Sequence, residues 1–250
     1  MRILRPAAPR TPPGSVAASL FSQVLAAIAI TTLFAGLAYA LGMVSRGGAL
    51  GGFAVGIVIY LSLGPQGFAI LALFVVGGSA LTRLGYRSKE QSGTAEAHGG
   101  RRGAKNALAN CGVALLCALF AALIPSEAFA TAFVAALGAA FADTAESEVG
   151  QLTRRPPRLI TTFRKVPPGT DGAVSMLGTL AGLVAAGLIA LLGMALGLVA
   201  GLSVVLLVAS AAFLGTVVDS LIGALTPRLG NELTNVLCTL VAAVAAFVLS

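Results

Sequence analysis

The chain has 250 residues, of which 57% are hydrophobic and only 10% charged, with a formal charge of +7 and a mean hydropathy of +0.95. A soluble domain carries about a quarter charged residues, and a surface this poor in charge would not stay dissolved, which excludes an ordinary water-soluble enzyme. Nucleic acid is excluded as a partner too, because the basic residues sit in short loops between apolar runs, as the positive-inside rule describes for membrane proteins.

Taken in order, residues 1–15 (MRILRPAAPRTPPGS) are basic, rich in Pro and free of acids. They are expected to form a flexible tail ahead of one transmembrane helical domain over 16–250. The apolar run that follows is too long for a signal-peptide core. A spanning helix needs about 20 apolar residues, fewer where protein shields it. Candidates lie at 16–44, 49–63, 67–82, 107–124, 127–142, 173–198, 201–225 and 233–249. The second and third are short and are parted by Leu63-Gly64-Pro65-Gln66, a turn signal. The fold class is therefore an all-α polytopic bundle of about seven to eight spans. Gly178, Gly182, Gly187, Gly193 and Gly197 fit such a bundle, since small residues let helices approach closely in lipid. Cys111, Cys117 and Cys238 lie in apolar stretches without metal-like spacing and read as buried thiols.

Two polar loops interrupt the apolar runs. The first, 83–106, carries Arg83, Arg87, Lys89, Arg101, Arg102 and Lys105 against Glu90 and Glu96. The second, 143–172, carries Arg154, Arg155, Arg158, Arg164 and Lys165 against Asp143, Glu146, Glu148 and Asp171. Both are basic, so both are expected on the cytoplasmic side. The helices between them make one out-and-back pair turning at Ile124-Pro125-Ser126. Two further spans return the chain near Asp219 and Arg228. All three aspartates of the chain, Asp143, Asp171 and Asp219, should then meet one membrane face. The same parity puts the N-terminus outside, against the charge of Arg2, Arg5 and Arg10.

Three segments carry candidate chemistry. If the helix before Asp143 continues, Asp143, Glu146 and Ser147 share one face. Acids at that spacing repel unless a cation lies between them, and Mg2+ accepts a few carboxylate oxygens while keeping places for water and phosphate. The alternative is a solvated rim in which these acids pair with Arg154 and Arg155. In the second segment, Arg164-Lys165-Val166-Pro167-Pro168-Gly169-Thr170-Asp171-Gly172, the glycines allow close approach to a ligand. The helix start that follows favours phosphate. Asp171 could cap that helix or bind a metal, and Thr170 and Ser175 could cap or donate. The alternative is an ordinary capped re-entry into the membrane. The third segment holds Asp219, an ionisable residue inside an apolar run, which costs about 2.5–3.5 kcal/mol at a helix centre and so marks a polar cavity or a partner such as Arg228.

The stretch from His98 to Asn106 is Gly-rich and basic and leads into a helix with Asn110, but lacks the Gly-Lys-Ser/Thr ending of a Walker A loop. Phosphate binding and plain positive-inside charge both explain it. The sole histidine, His98, is not expected to act as a base. Acids for magnesium and basic Gly-rich loops for phosphate, gathered at one face, are what phosphoryl transfer requires.

These residues resemble a known family. The run Ala142-Asp143-Thr144 to Ser147-Glu148-Val149-Gly150, followed by Val166-Pro167-Pro168-Gly169-Thr170-Asp171-Gly172-Ala173-Val174-Ser175, resembles the membrane family of plant phytyl-phosphate kinase and animal transmembrane protein 19. Ser45-Arg46-Gly47-Gly48-Ala49, Leu81-Thr82-Arg83, Lys89, Arg101 to Asn110, and Asp219 to Ala224 extend the match. More distantly the order of segments is similar to phosphatidate cytidylyltransferase and dolichol kinase, although Thr170-Asp171 stands where the cytidylyltransferases carry His and Gly. The resemblance implies a nucleotide-dependent kinase of lipid metabolism. It would transfer a phosphoryl group from a triphosphate, with CTP favoured, to phytyl or another polyprenyl monophosphate. It implies Mg2+ held by Asp143, Glu146, Asp171 and Asp219, the three aspartates being catalytic. It implies phosphates held by Arg101, Arg102, Lys105, Arg164 and Lys165, with Asn110, Ser147, Gly169, Thr170 and Gly172 completing the nucleotide set. Expected partners are membrane lipids, the prenyl monophosphate and the nucleotide, with a homodimer left open. Two rivals stand beside this reading: cytidylyl transfer to a lipid phosphate, and a non-enzymatic transporter or scaffold.

Overall fold

The computed structural model describes residues 13–153, 155–226 and 228–250. Their helices are α1 (Pro13–Ala40), α2 (Arg46–Arg83), α3 (Tyr86–Gln91), α4 (Ala97–Gly100), α5 (Ala104–Leu123), α6 (Glu127–Gly150), α7 (Met176–Ala195), α8 (Gly201–Leu225) and α9 (Asn231–Leu249). Two short strands, β1 (Arg158–Leu159) and β2 (Ala173–Val174), pair antiparallel within the second polar loop. Seven of the helices are long and apolar enough to cross a membrane, so the chain is an all-α, multi-pass membrane protein. Most of the expected 1–15 tail, with Arg2, Arg5 and Arg10, lies outside the described residues, and α1 already begins at Pro13.

The longest helix is in fact a hairpin. Within α2, Gly64 has φ +67° and ψ −166°, a conformation that only a residue without a Cβ takes readily. Pro65 follows and cannot donate the next helical hydrogen bond. The two arms then pack on each other. Tyr60 and Phe68 meet edge to face with ring centroids 6.1 Å apart, and a Cβ on Gly56 would lie 3.1 Å from the Phe68 ring. In a straight helix residues 56 and 68 would be about 18 Å apart. Arg83, at the end of the second arm, donates to the carbonyl of Leu41, just before the first arm begins. The two helices read at 49–63 and 67–82 are these arms, and eight apolar segments cross the bundle.

With the hairpin counted, every second loop falls at one end. The α1–α2 link, the 84–103 and 151–175 loops and the α8–α9 link share the basic end. The Gly64 turn, the α5–α6 turn and the α7–α8 turn lie opposite, as does the start of α1.

The centre of the bundle is α6. It packs against α2, α5, α7, α8 and α9, and residues 131–142 are buried without a break. It is the least hydropathic of the seven long helices, so lipid affinity does not place it there. Its small side chains do: Ala132, Ala135, Ala136, Gly138, Ala139 and Ala140 leave room for neighbours on every side. The outer helices show the reverse, with Leu20, Phe21, Leu33 and Leu37 of α1 exposed where lipid would solvate them.

Glycine marks several closest approaches. A Cβ on Gly215 of α8 would lie 2.5 Å from the Cys238 carbonyl of α9, and one on Gly193 would lie 2.9 Å from Val134. Gly178 and Gly182 are also tight, but Gly187 has nothing within 4 Å and Gly197 sits in the turn after α7. Close packing therefore explains three of the five glycines singled out in the sequence.

One boundary differs from expectation in a way that matters for the site. α6 does not end at 142 but continues to Gly150, so the acidic segment is helical. A helix can carry such residues at membrane depth because its backbone is satisfied internally and its acids face a cavity rather than lipid.

Candidate functional site

The last two turns of α6 put Asp143, Glu146 and Ser147 on the wall of one open cavity of about 740 Å³ at the basic end of the bundle. Gly169, Thr170, Asp171 and Gly172 of the second loop and Asp219 and Ser220 of α8 line the same cavity. Arg102, Asn106 and Asn110 border it from the first loop and α5. All three aspartates thus converge from three separate elements.

The second loop is seated by backbone. The Ile160 N–H donates to the Gly172 carbonyl at 3.0 Å, beside the β1–β2 pairing. Gly172 has φ +72° and presses against Ala224 and the Ser220 carbonyl of α8, where a Cβ would collide. From the other side, a Cβ on Gly223 would be 3.0 Å from the Gly172 nitrogen. This contact sets Asp171 beside the Asp219-Ser220 pair. The cap of α7 is Ser175, whose Oγ accepts from the Gly178 N–H at 3.1 Å. Asp171 therefore does not serve as that cap. Thr170 Oγ1 donates to the Pro167 carbonyl at 2.8 Å and braces the turn.

The acids occupy distinct settings. Asp219 lies within electrostatic range of both Asp143 and Asp171, with Thr234 of α9 alongside. Its Oδ1 is buried and has no hydrogen-bond partner. Glu146 turns away between α7 and α8: its Oε1 accepts from Thr216 Oγ1 at 3.2 Å, and its stem fills the space left by Gly182. Among the described residues no three acidic, His or Cys side chains come close enough to cage a metal by themselves.

Among the described residues, Arg102 is the cation that lines the cavity. Its backbone bridges to Val44, and Gly48 leaves room for its carbonyl. Its guanidinium lies over the Phe74 ring, 5.6 Å from the centroid, and Nη2 donates to Thr144 Oγ1 at 3.3 Å. Burial pushes its pKa down, while Glu148, Glu96 and Asp143 nearby favour its charge; an arginine remains protonated under such opposing influences. The other cations named in the sequence stand elsewhere. Arg101, Lys105, Arg164 and Lys165 are exposed and do not line the cavity. Lys165 bridges to Arg158, and the Arg164 carbonyl accepts from Leu159. His98 is exposed, with a left-handed backbone in α4. Asn110 donates to the Asn106 carbonyl at 3.0 Å. Arg154 lies outside the described residues, and Arg155 makes no ion pair with the α6 acids.

Two features were not read from the sequence. Lys89 of α3 is fully buried and donates to Glu148 Oε2 at 2.5 Å and to the Thr82 carbonyl at 2.9 Å, locking the first loop to α6. In the sequence Lys89 is one of six loop cations and extends the family match, but nothing local shows that it is buried or that Glu148 is its partner. The other feature is the start of α9, where Asn231, Thr234 and Asn235 line the cavity. A polar first turn on an otherwise apolar helix was the available signal.

Comparison with known proteins gives a consistent set of relatives. The model of a family described as integral membrane protein DUF92 matches residues 29–243. An uncharacterized membrane protein of Synechocystis is 37% identical over 199 residues, 77% of each chain. An uncharacterized membrane protein of Methanocaldococcus jannaschii is 34% identical over 197 residues, 78% of this chain and 80% of its own. The chloroplastic protein VTE6 of Arabidopsis thaliana is 34% identical over 151 residues, 58% of this chain and 45% of VTE6. No solved structure matches.

Proposed function

The chain belongs to the integral membrane family DUF92, and from that membership we propose that it is a lipid kinase, passing a phosphoryl group from a nucleoside triphosphate, with CTP favoured, to a phytyl or other polyprenyl monophosphate. The observation that carries this reading is the convergence of Asp143, Asp171 and Asp219 on one cavity that also holds Arg102. The resemblance of the two acidic segments to plant phytyl-phosphate kinase supports it, and so does the match to VTE6.

The donor set suits Mg2+. The acids offer hard carboxylate oxygens, and Asp219 Oδ1 has no protein partner. Magnesium is ordinarily held by one or two carboxylates together with substrate phosphates and water. The absence of a complete acidic cage among the described residues therefore fits an ion shared with the nucleotide. One or two of Asp143, Asp171 and Asp219 would hold it together with the nucleotide phosphates, with Glu146 behind them. When bound, it would supply charge neutralisation at the transferring phosphate. Arg102 would pair with phosphate oxygens of the acceptor or nucleotide. The Gly169–Gly172 backbone would lie close to the nucleotide, with Thr170 bracing that turn and Ser147 donating to the nucleotide. No residue need act as a base, because the attacking phosphate oxygen is already an anion. What remains for the protein is positioning and charge stabilisation. We assign the cavity to the cytoplasmic face from the basic loops around it; there a soluble nucleotide and a membrane-borne lipid can meet.

The test uses purified protein in detergent with Mg2+, labelled CTP and phytyl or geranylgeranyl monophosphate, following lipid and nucleotide products together. Lipid diphosphate with CDP is expected. A CDP-lipid with pyrophosphate would make the protein a cytidylyltransferase. No turnover with CTP, ATP, GTP or UTP would remove the enzyme reading in favour of a transporter or scaffold.

A further inference from the structure

Beside the polar cavity lies a second, narrow pocket, bounded by α1, the two arms of α2 and α5. Its free interior is about 60 Å³. Its walls are almost wholly apolar, among them Phe34, Val55, Phe68 and Leu71. Two of its residues, Arg102 and Asn106, also line the large polar cavity. One end of an apolar slot thus opens on Arg102, the one cation among the described residues that lines the aspartates' cavity. The slot runs inward from Gly48 to Val55 along α2, seven residues, or about 10 Å at 1.5 Å per residue. Its floor is closed by Phe34 and Phe68, which pack edge to face with centroids 5.3 Å apart. Its outer wall, α1, packs chiefly on α2 and is otherwise turned outward, so the bilayer is adjacent.

We propose that this slot holds the phosphate-proximal hydrocarbon of a single-chain lipid monophosphate, with the phosphate at Arg102 and the rest of the chain in the bilayer. The lipid's identity as acceptor rests on the kinase reading above; the slot itself rests on the shared lining. Charge complementarity places the phosphate at the Arg102 end. The apolar lining selects what comes next along the molecule. The first atoms after the phosphate must be hydrocarbon, as in a prenyl phosphate. A glycerol lipid would carry ester groups into walls whose polar side chains are few, Thr31 at the deep end and Arg102 and Asn106 at the mouth, an unfavourable burial for most of them, and a free interior of about 60 Å³ leaves no room for two chains.

The test is photo-crosslinking of the full chain in nanodiscs, without nucleotide, by geranylgeranyl monophosphate bearing a diazirine near its phosphate end. The adducts are mapped by mass spectrometry. Labels are expected on α1 near Phe34, on α2 between Ala49 and Val55, and on α5 near Ala107. They should be competed by geranylgeranyl monophosphate but not by dioleoyl phosphatidate. Gly52 lines the slot, and a Cβ there meets nothing within 4 Å. Gly52→Phe should fill the slot and weaken lipid binding about tenfold, by the usual size of an overpacking penalty. The outward-facing Leu50→Phe should leave binding unchanged. Labels confined to other helices, or equal competition by phosphatidate, would overturn the proposal. Turnover without labelling of the slot would overturn the slot and leave the kinase standing. A competed label in the slot with no turnover on any nucleotide would do the opposite.

Discussion

The two halves of α6 are one continuous helix in opposite environments. From Thr131 to Ala142 every residue is buried, most are Ala or Gly, and five helices close around them. From Asp143 to Gly150 the same helix lines a polar cavity. No break in α6 separates the two halves. What changes is the surroundings: at the basic end the neighbours give way to loops, which stand back and leave a space. The dry half holds the bundle together through small side chains. The wet half presents acids from a rigid support, which a loop could not hold as firmly. A membrane protein can therefore place charge at depth where packing opens a cavity, provided the supporting helix is anchored below it.

Substitutions can break this division in order of size. The largest effect is expected in the wet half: Asp143→Asn or Asp219→Asn should lower the rate of lipid diphosphate formation by about a thousandfold, the scale of losing an electrostatic stabiliser of the transition state. The melting temperature in detergent should change little, and full activity of either variant would sink the site. Next is the clamp that holds the first loop against the wet half. Lys89→Met leaves Glu148 buried without its partner and should destabilise by about 3 kcal/mol, read from thermal melting. Adding Glu148→Leu should restore much of that stability, since an apolar pair can replace a buried ion pair. In the dry half, Gly215→Ala pushes a methyl against the Cys238 carbonyl and should cost about 2 kcal/mol as overpacking. The smallest effect sharpens the contrast: Gly187→Ala, where nothing lies within 4 Å, should shift stability by less than about 0.5 kcal/mol.

Much of this was legible because lipid imposes strict rules on a chain. Long apolar runs had to be helices. The Leu63-Gly64-Pro65-Gln66 turn had to divide α2, since Gly and Pro there cannot continue a helix. Counting spans from the basic loops brought Asp143, Asp171 and Asp219 to one end of the bundle, where they line one cavity. The cations were less legible. Arg102 and Arg101 are adjacent and chemically alike, yet one enters the cavity and the other faces outward, because the Val44 bridge and Gly48 fix the direction of the backbone. The family resemblance implied Arg164 and Lys165 as phosphate ligands, but the β1–β2 turn carries them to the surface.

By itself, then, the sequence determined the membrane setting, the helices, the hairpin and the gathering of the aspartates at one end of the bundle, because hydropathy, turn chemistry and parity are properties of the chain alone. Tertiary structure decided that α6 is the central helix, that Lys89 pairs with Glu148, that Glu146 turns to Thr216, and which arginine reaches the cavity. Those outcomes depend on which surfaces close against which, and small side chains in lipid leave that choice to packing between elements distant in the chain.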